Sequence, residues 1–241
     1  MSIQQLIPAT TATAHQPPQQ EPRFLKENWK VVLGNECPVH LRFVRVISGV
    51  ANITNGVVLI RLATSYLPDG FYIIGEGGVF NNVAPGSSPK WMTYPDVQTC
   101  SPTFHTLTPS QPIPFQIVSE AISFVEHVRR QADTGTYGYR TNVVMMRDGL
   151  FMSTDPKVSF ALPLHNLPTG NEIALSPLHL KMALVEMLRY QETFISQDGT
   201  RGGDSPVIFG KDWGHCALVK PYTANTPSSL ASGHWSGLQY H

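Results

Sequence analysis

The sequence predicts an α+β fold assembled from strand-helix-strand-strand units, with antiparallel sheets and helices on one face. Three observations lead there. Short apolar or β-branched runs recur between Gly, Asn, Asp and Pro residues, as expected of strands closed by turns. Two longer stretches repeat their apolar residues at helical spacing. Finally, residues 172–222 read as one complete unit: Glu172-Ile173-Ala174-Leu175, a helix opened by Ser176-Pro177 and running to about Tyr190, strands over 192–197 and 206–210, and the run Cys216-Ala217-Leu218-Val219-Lys220-Pro221.

Composition bounds what such a fold can do. The 241 residues suffice for one large domain or two small ones, each able to bury a core. Charged residues make up 14% of the chain and the formal net charge is zero, so no global basic field draws the protein to nucleic acid; any DNA contact has to come from a local patch. Cys37, Cys100 and Cys216 are too scattered for a disulfide framework and form no zinc-type pair, which fits a reducing, cytoplasmic setting. No run of about 18 apolar residues is present, so no membrane span is expected.

In chain order, residues 1–22 are rich in Gln, Pro, Thr and Ala and are expected to be a disordered tail. A strand-rich N-terminal domain or half-domain follows over 23–93, with strand runs at 30–33, 57–63 and 71–74; Asn55-Gly56 marks a tight turn before the second. Residues 38–51 are open to two readings, a helix started by Pro38 or a strand suggested by the alternation from Val39 to Phe43 and by β-branched residues. After a linker at 94–102 comes a domain over 103–222. Its first helix carries Val118, Ala121, Ile122, Val125 and Val128 on one face. Strands at 142–147 and 150–153 follow, joined by the hairpin signal Asp148-Gly149. In the second helix Ser176 is the expected N-cap, Pro177 the first helical residue, and Leu180, Ala183, Leu184, Met187 and Leu188 the core stripe. Leu178, Met182 and Val185 on its far side suggest cover on both faces. Residues 223–241 are expected to be a flexible tail. If 38–51 is a helix, three similar units succeed one another, over 30–92, 103–163 and 164–222.

Motifs for chemistry are sparse. Asp212, His215 and Cys216 are close in sequence, but adjacent strand residues point to opposite faces, which favours a structural role. The histidines include no HExxH pair, and His127 and His179 read as surface or packing residues. The glycine-rich stretch 198–204 lacks the Lys-Ser/Thr of a phosphate-binding loop. With no convergent set of polar residues, the sequence predicts neither an enzyme nor a cofactor or metal.

The unit at 172–222 and the segment around Pro95 resemble the bacterial DNA sliding clamp, the ring that tethers DNA polymerase to its template. That family joins two of its domains through a Phe-Pro-Asp segment followed by a basic pair and a proline. Tyr94-Pro95-Asp96-Val97-Gln98-Thr99-Cys100-Ser101-Pro102 is similar, with Gln98 and Thr99 in place of the basic pair. The family closes on an apolar strand leading to a hydrophobic residue and a proline; Leu218-Val219-Lys220-Pro221-Tyr222 is similar, with Lys220 in place of an apolar residue. The resemblance is best from Tyr94 to Tyr222. It implies clamp-like half-domains and a partner-peptide groove bordered by Pro95, Val97, Thr99, Cys100, Leu218, Val219, Pro221 and Tyr222.

A clamp also implies cations on helices that face duplex DNA, because phosphate contacts supply sequence-independent affinity. The candidates are Arg42, Arg45, Arg129, Arg130, Lys181 and Arg189, their field weakened by Glu120, Glu126 and Glu186. The bland alternative is a set of ordinary solvated helix charges. Two functions stay open. One is a shortened clamp, of phage, plasmid or other mobile-element type, that forms a homo-oligomer around DNA and recruits a polymerase or other replication and repair proteins. The other is a non-enzymatic protein-interaction module that keeps the fold without encircling DNA. Gln5-Leu6-Ile7 and Leu238-Gln239-Tyr240 faintly echo clamp-binding peptides, against the plain reading of disordered tails.

Overall fold

The computed structural model describes residues 14–15, 37, 41–75, 79–83, 113–133, 143–147, 150–153, 161–163, 173–188, 194–197 and 206–221. The chain divides into two compact units, residues 1–100 and 101–241. The expected strand at 30–33, the linker 94–102, the turn residues Asp148-Gly149, the loop 198–204 and the tail 223–241 lie outside the described residues.

In unit 1 the described strands are β1 (Ala14–His15), β2 (Val44–Ile47), β3 (Val50–Thr54), β4 (Val58–Ala63), β5 (Gly70–Ile74) and β6 (Phe80–Val83). They lie side by side in the order β1-β6-β5-β2-β3-β4, each neighbour antiparallel. The first of them departs from the expected disorder over 1–22: Ala14 and His15 pair with Asn81 and Phe80. A polar segment can join a sheet through its backbone hydrogen bonds.

Over its described part, residues 41–51, the stretch 38–51 follows the strand reading. Leu41 belongs to a short turn, β2 follows, and Ser48-Gly49 turns the chain directly into β3. Both turn residues have positive φ, 51° and 70°, as a tight two-residue hairpin that matches strand twist requires. Asp69 closes the turn from outside, its carboxylate accepting the Ser48 and Gly49 amides at 2.8 and 3.2 Å. Residues 38–40 lie outside the described residues. At Asn55-Gly56 the expected turn forms, the Asn55 side chain accepting the amides of Val57 and Val58 at 3.0 and 2.9 Å.

Alternate residues of β2 and β5 supply the core of this unit: Val44, Val46 and Tyr72 are buried, joined by Ile53, Ile60 and Phe80. The Phe80 ring meets Tyr66 and Tyr72 edge-on, with centroids 6.2 and 6.4 Å apart, and the Tyr72 hydroxyl donates to the Pro68 carbonyl at 2.6 Å.

The described residues of unit 2 hold two helices and two groups of strands. Helix α1 (Phe115–Asp133) precedes β7 (Val144–Arg147), β8 (Leu150–Ser153) and β9 (Ala161–Pro163). Then come β10 (Ile173–Leu175), helix α2 (Pro177–Met187), β11 (Phe194–Gln197), β12 (Val207–Asp212) and β13 (His215–Val219). The antiparallel orders are β10-β7-β8-β9 and β13-β12-β11. The unit expected over 172–222 is thus not closed on itself: β10, its first strand, pairs with β7, putting Ile173 opposite Met146 and Leu175 opposite Val144. Strand β10 thus ties the second half to the sheet of the first.

Helix α1 buries Val118, Ala121, Val125 and Val128 as expected, and Phe124 with them, while Ile122 is only half-buried. It packs against α2, which in turn packs against β12 and β13. Burial of Leu180, Met182, Ala183 and Leu184 wraps α2 on most sides, leaving Leu178 exposed and Lys181 and Val185 half-exposed. Ser176 flanks α2 in an extended conformation but makes no side-chain cap; its carbonyl accepts the Leu180 amide at 2.9 Å, and Pro177, which has no N–H to satisfy, opens the helix. The helix ends at Met187, short of Tyr190. Between β12 and β13, a Cβ added at Gly210 would collide with the backbone of His215 and Cys216, so only glycine permits this approach.

Candidate nucleic-acid interface

Helix spacing brings the first part of the site together. Glu126 on α1 lies three and four residues before Arg129 and Arg130, the separations at which helical side chains meet. Arg129 grips the carboxylate with a fork, Nε to Oε2 at 3.1 Å and Nη2 to Oε1 at 2.9 Å. Arg130 adds Nε to Oε1 at 3.2 Å.

The packing of α2 on α1 supplies the third cation. Lys181 Nζ donates to Glu126 Oε2 at 2.7 Å, the shortest bond of the group, linking residues 55 positions apart. Among the described residues, one carboxylate thus serves three cations. Side-chain exposure rises from 17% at Glu126 through 35% at Lys181 and 37% at Arg129 to 74% at Arg130, so the anion sits inside and the cations outside. Hydrogen bonds from Arg129 first, then from Lys181, hold the Glu126 carboxyl well below its ordinary range against the opposing effect of burial.

Of the six expected DNA-facing cations, the structure brings together Arg129, Arg130 and Lys181. Arg189 lies outside the described residues. Arg42 and Arg45 belong to unit 1 and sit on no helix. The Arg42 Nε donates to the Cys37 carbonyl at 2.8 Å, and the Arg45 guanidinium lies 5.3 Å from the centre of the Phe71 ring, the residue directly across the β2–β5 ladder. Of the three acidic neighbours, Glu120 is exposed on α1 and Glu186 is buried on α2; Glu126 alone of these makes the contacts just described. The sequence names Glu126 as a neighbour and its spacing signals the pairs to Arg129 and Arg130, but the link to Lys181 depends on how the two helices pack.

Among the groove candidates, Leu218 and Val219 end β13, opposite Ile208 and Val207, and both are buried, as is Pro221. Lys220 between them is exposed. Pro95, Val97, Thr99, Cys100 and Tyr222 lie outside the described residues.

The remaining chemistry is structural in character. Asp212 Oδ1 accepts the Gly214 amide at 2.8 Å and lies 3.0 Å from His215 Nδ1, closing the β12–β13 turn, while Cys216 is buried with its thiol toward the Trp213 carbonyl. No group of three or more potential metal ligands occurs among the described residues. His127 is exposed; His179 is buried, and desolvation lowers its pKa to about 4. No helix among the described residues is long and apolar enough to cross a membrane.

No protein-family model and no curated protein matches the sequence. Solved structures do match in fold. A DNA polymerase sliding clamp from Pseudomonas aeruginosa aligns with a TM-score of 0.55 at 12% identity, over 87% of this chain and 65% of that one. The DNA polymerase III beta subunit of Thermotoga maritima gives 0.54 at 12%, over 89% and 66%. The beta sliding clamp of C. crescentus gives 0.58 at 12%, over 89% and 67%.

The fold is that of a sliding clamp.

At such low identity the likeness rests on backbone arrangement, which conserved patterning and core volume can maintain while residue identities change. The chain spans about two thirds of the length of the clamp structures it matches. Within this clamp fold, Glu126 and its three cations occupy the paired helices of unit 2.

Proposed function

We propose that this chain is a DNA-tethering processivity factor of the sliding-clamp type, a homo-oligomer that encircles duplex DNA and recruits a polymerase or another replication protein. The observation that carries this reading is the cluster of Arg129, Arg130 and Lys181 on the paired helices of a clamp fold. A tether that must move along DNA reads no bases. It needs phosphate contacts that are individually weak and interchangeable, and partly neutralised cations on a rigid helical platform meet that need. Arg189, and Arg42 and Arg45 from unit 1, are further candidates for the phosphate face. Partner peptides would dock beside Leu218, Val219 and Pro221, with Pro95, Val97, Thr99, Cys100 and Tyr222 completing the groove. In this reading the protein works by topology and binding, as a non-enzyme in the cytoplasm, in a phage, plasmid or other mobile element.

A second reading, a protein-interaction module that keeps the fold without encircling DNA, draws support from the zero formal net charge of the chain. Light scattering with and without nicked circular DNA separates the two. A discrete multimer that stays on the circle and runs off once the DNA is linearised is the expected result. A monomer or dimer indifferent to DNA overturns the tether in favour of the interaction module.

A further inference from the structure

We propose that Glu126 is a built-in competitor for DNA phosphate, which sets how weakly the α1–α2 face holds the duplex. The proposal rests on the reading of that face as a DNA surface. A carboxylate and a phosphate present similar anionic oxygens to arginine, and both take its two-pronged grip. Glu126 already holds that grip on Arg129 and uses the same two oxygens for Lys181 and Arg130. A passing phosphate therefore meets cations that are supplied with an anion, and must share or displace it.

The three contacts differ in how readily they yield. Arg130 holds Glu126 through Nε and is 74% exposed, so its guanidinium can swing to a phosphate at little cost, as surface pairs at this helix spacing are weak. Lys181 and Arg129 are about half as exposed, and Lys181 bridges two helices, which ties its release to the packing of α1 on α2. Glu126 thus keeps the cations pre-aligned for an anion and limits the charge they offer. Loss of its charge would remove one negative charge from among the three cations.

Glu126→Gln preserves size and one acceptor oxygen while removing the charge. Binding of the full chain to a nicked circular duplex, titrated from low to moderate salt, is the test, with circular dichroism to confirm folding. Expected for Glu126→Gln is affinity higher by about three- to tenfold at low salt with a steeper salt dependence. Arg130→Gln, at a position too exposed to disturb the core, is expected to bind more weakly, its log-log salt slope shallower by about 0.9. Wild-type binding with a Glu126→Gln variant that binds equally or less tightly overturns the competitor role and leaves Glu126 a strut between helices. If Glu126→Gln does not fold, an Arg130→Gln variant that binds like wild type overturns it equally. Absence of binding by wild type and both variants overturns the DNA face itself, and the competitor with it.

Discussion

In unit 1, Arg42 donates to the carbonyl of Cys37 and Arg45 lies over the Phe71 ring, whereas in unit 2 Arg129, Arg130 and Lys181 converge on the carboxylate of Glu126. In the first pair one guanidinium supports backbone and the other a ring. The second set is pooled, because a helix returns to the same face every three or four residues and a second helix packs alongside. On a strand, successive side chains leave on opposite faces, so Arg45 shares its face with its cross-strand neighbour Phe71 and not with its sequence neighbours. Identical residue types therefore serve as local supports in one unit and as a shared surface in the other.

The largest effects come from breaking the two cores separately. Phe80 in unit 1 is fully buried and meets two tyrosines edge-on, so Phe80→Ala should cost about 4 kcal/mol. Leu184→Ala, on the buried side of α2, should cost about 3 kcal/mol. Amide hydrogen exchange of β5 and of α2, followed through a urea titration, would compare them. If the units unfold independently, Phe80→Ala lowers the urea midpoint of the β5 amides and leaves that of the α2 amides in place; identical shifts of both would show one cooperative transition.

A contrast in pH dependence comes next. His179 in unit 2 titrates near 4 when folded, below its ordinary 6.5, because burial disfavours the charged ring. Between those values the unfolded chain holds a proton that the folded chain does not, so stability falls as pH drops from 6.5 toward 4, by roughly 3 kcal/mol in all. Cys37 in unit 1 is displaced the other way, to about 11, because its burial outweighs the pull of Arg42. Its contribution is complete below 9 and is lost as pH rises toward 11. His179→Gln should flatten the acid limb and Cys37→Ala the alkaline limb of a denaturant midpoint against pH. An acid limb unchanged in His179→Gln would refute the assignment.

Much of unit 2 was legible in the sequence because its signals are local. Val118, Ala121, Val125 and Val128 mark a helix by period, and Val144–Arg147 and Leu150–Ser153 mark a hairpin by the Asp148-Gly149 between them. The pairing of β10 with β7 was not legible, since β-branched and apolar residues at 173–175 fit any neighbouring strand equally well. Residues 38–51 stayed open for a related reason: Val44, Val46 and Ile47 satisfy a strand, but Arg42, Phe43 and Arg45 can also be placed around a helix. What decides is Ser48-Gly49 with positive φ, stabilised by Asp69 from 20 residues away. In the site, the pairs of Glu126 with Arg129 and Arg130 follow from spacing, while the short bond from Lys181 is a product of tertiary packing.

The smallest expected effects bear most directly on the difference between spent and pooled cations. Arg45→Met keeps an apolar stem against Phe71 and removes the cation above the ring, so it should cost about 0.5–1 kcal/mol of stability. If its charge serves only that ring, DNA binding stays at the wild-type level. Arg130→Gln should do the opposite: its pair with Glu126 is exposed and at helix spacing, worth under about 0.5 kcal/mol to the fold, yet it carries the most accessible charge of the cluster. Thermal unfolding and duplex binding measured on both variants give a two-by-two test. A stability loss confined to Arg45→Met and a binding loss confined to Arg130→Gln would sharpen the division. Weaker DNA binding by Arg45→Met at unchanged folding would place a unit 1 cation on the phosphate path, showing that a residue can support its own strand and serve the duplex as well.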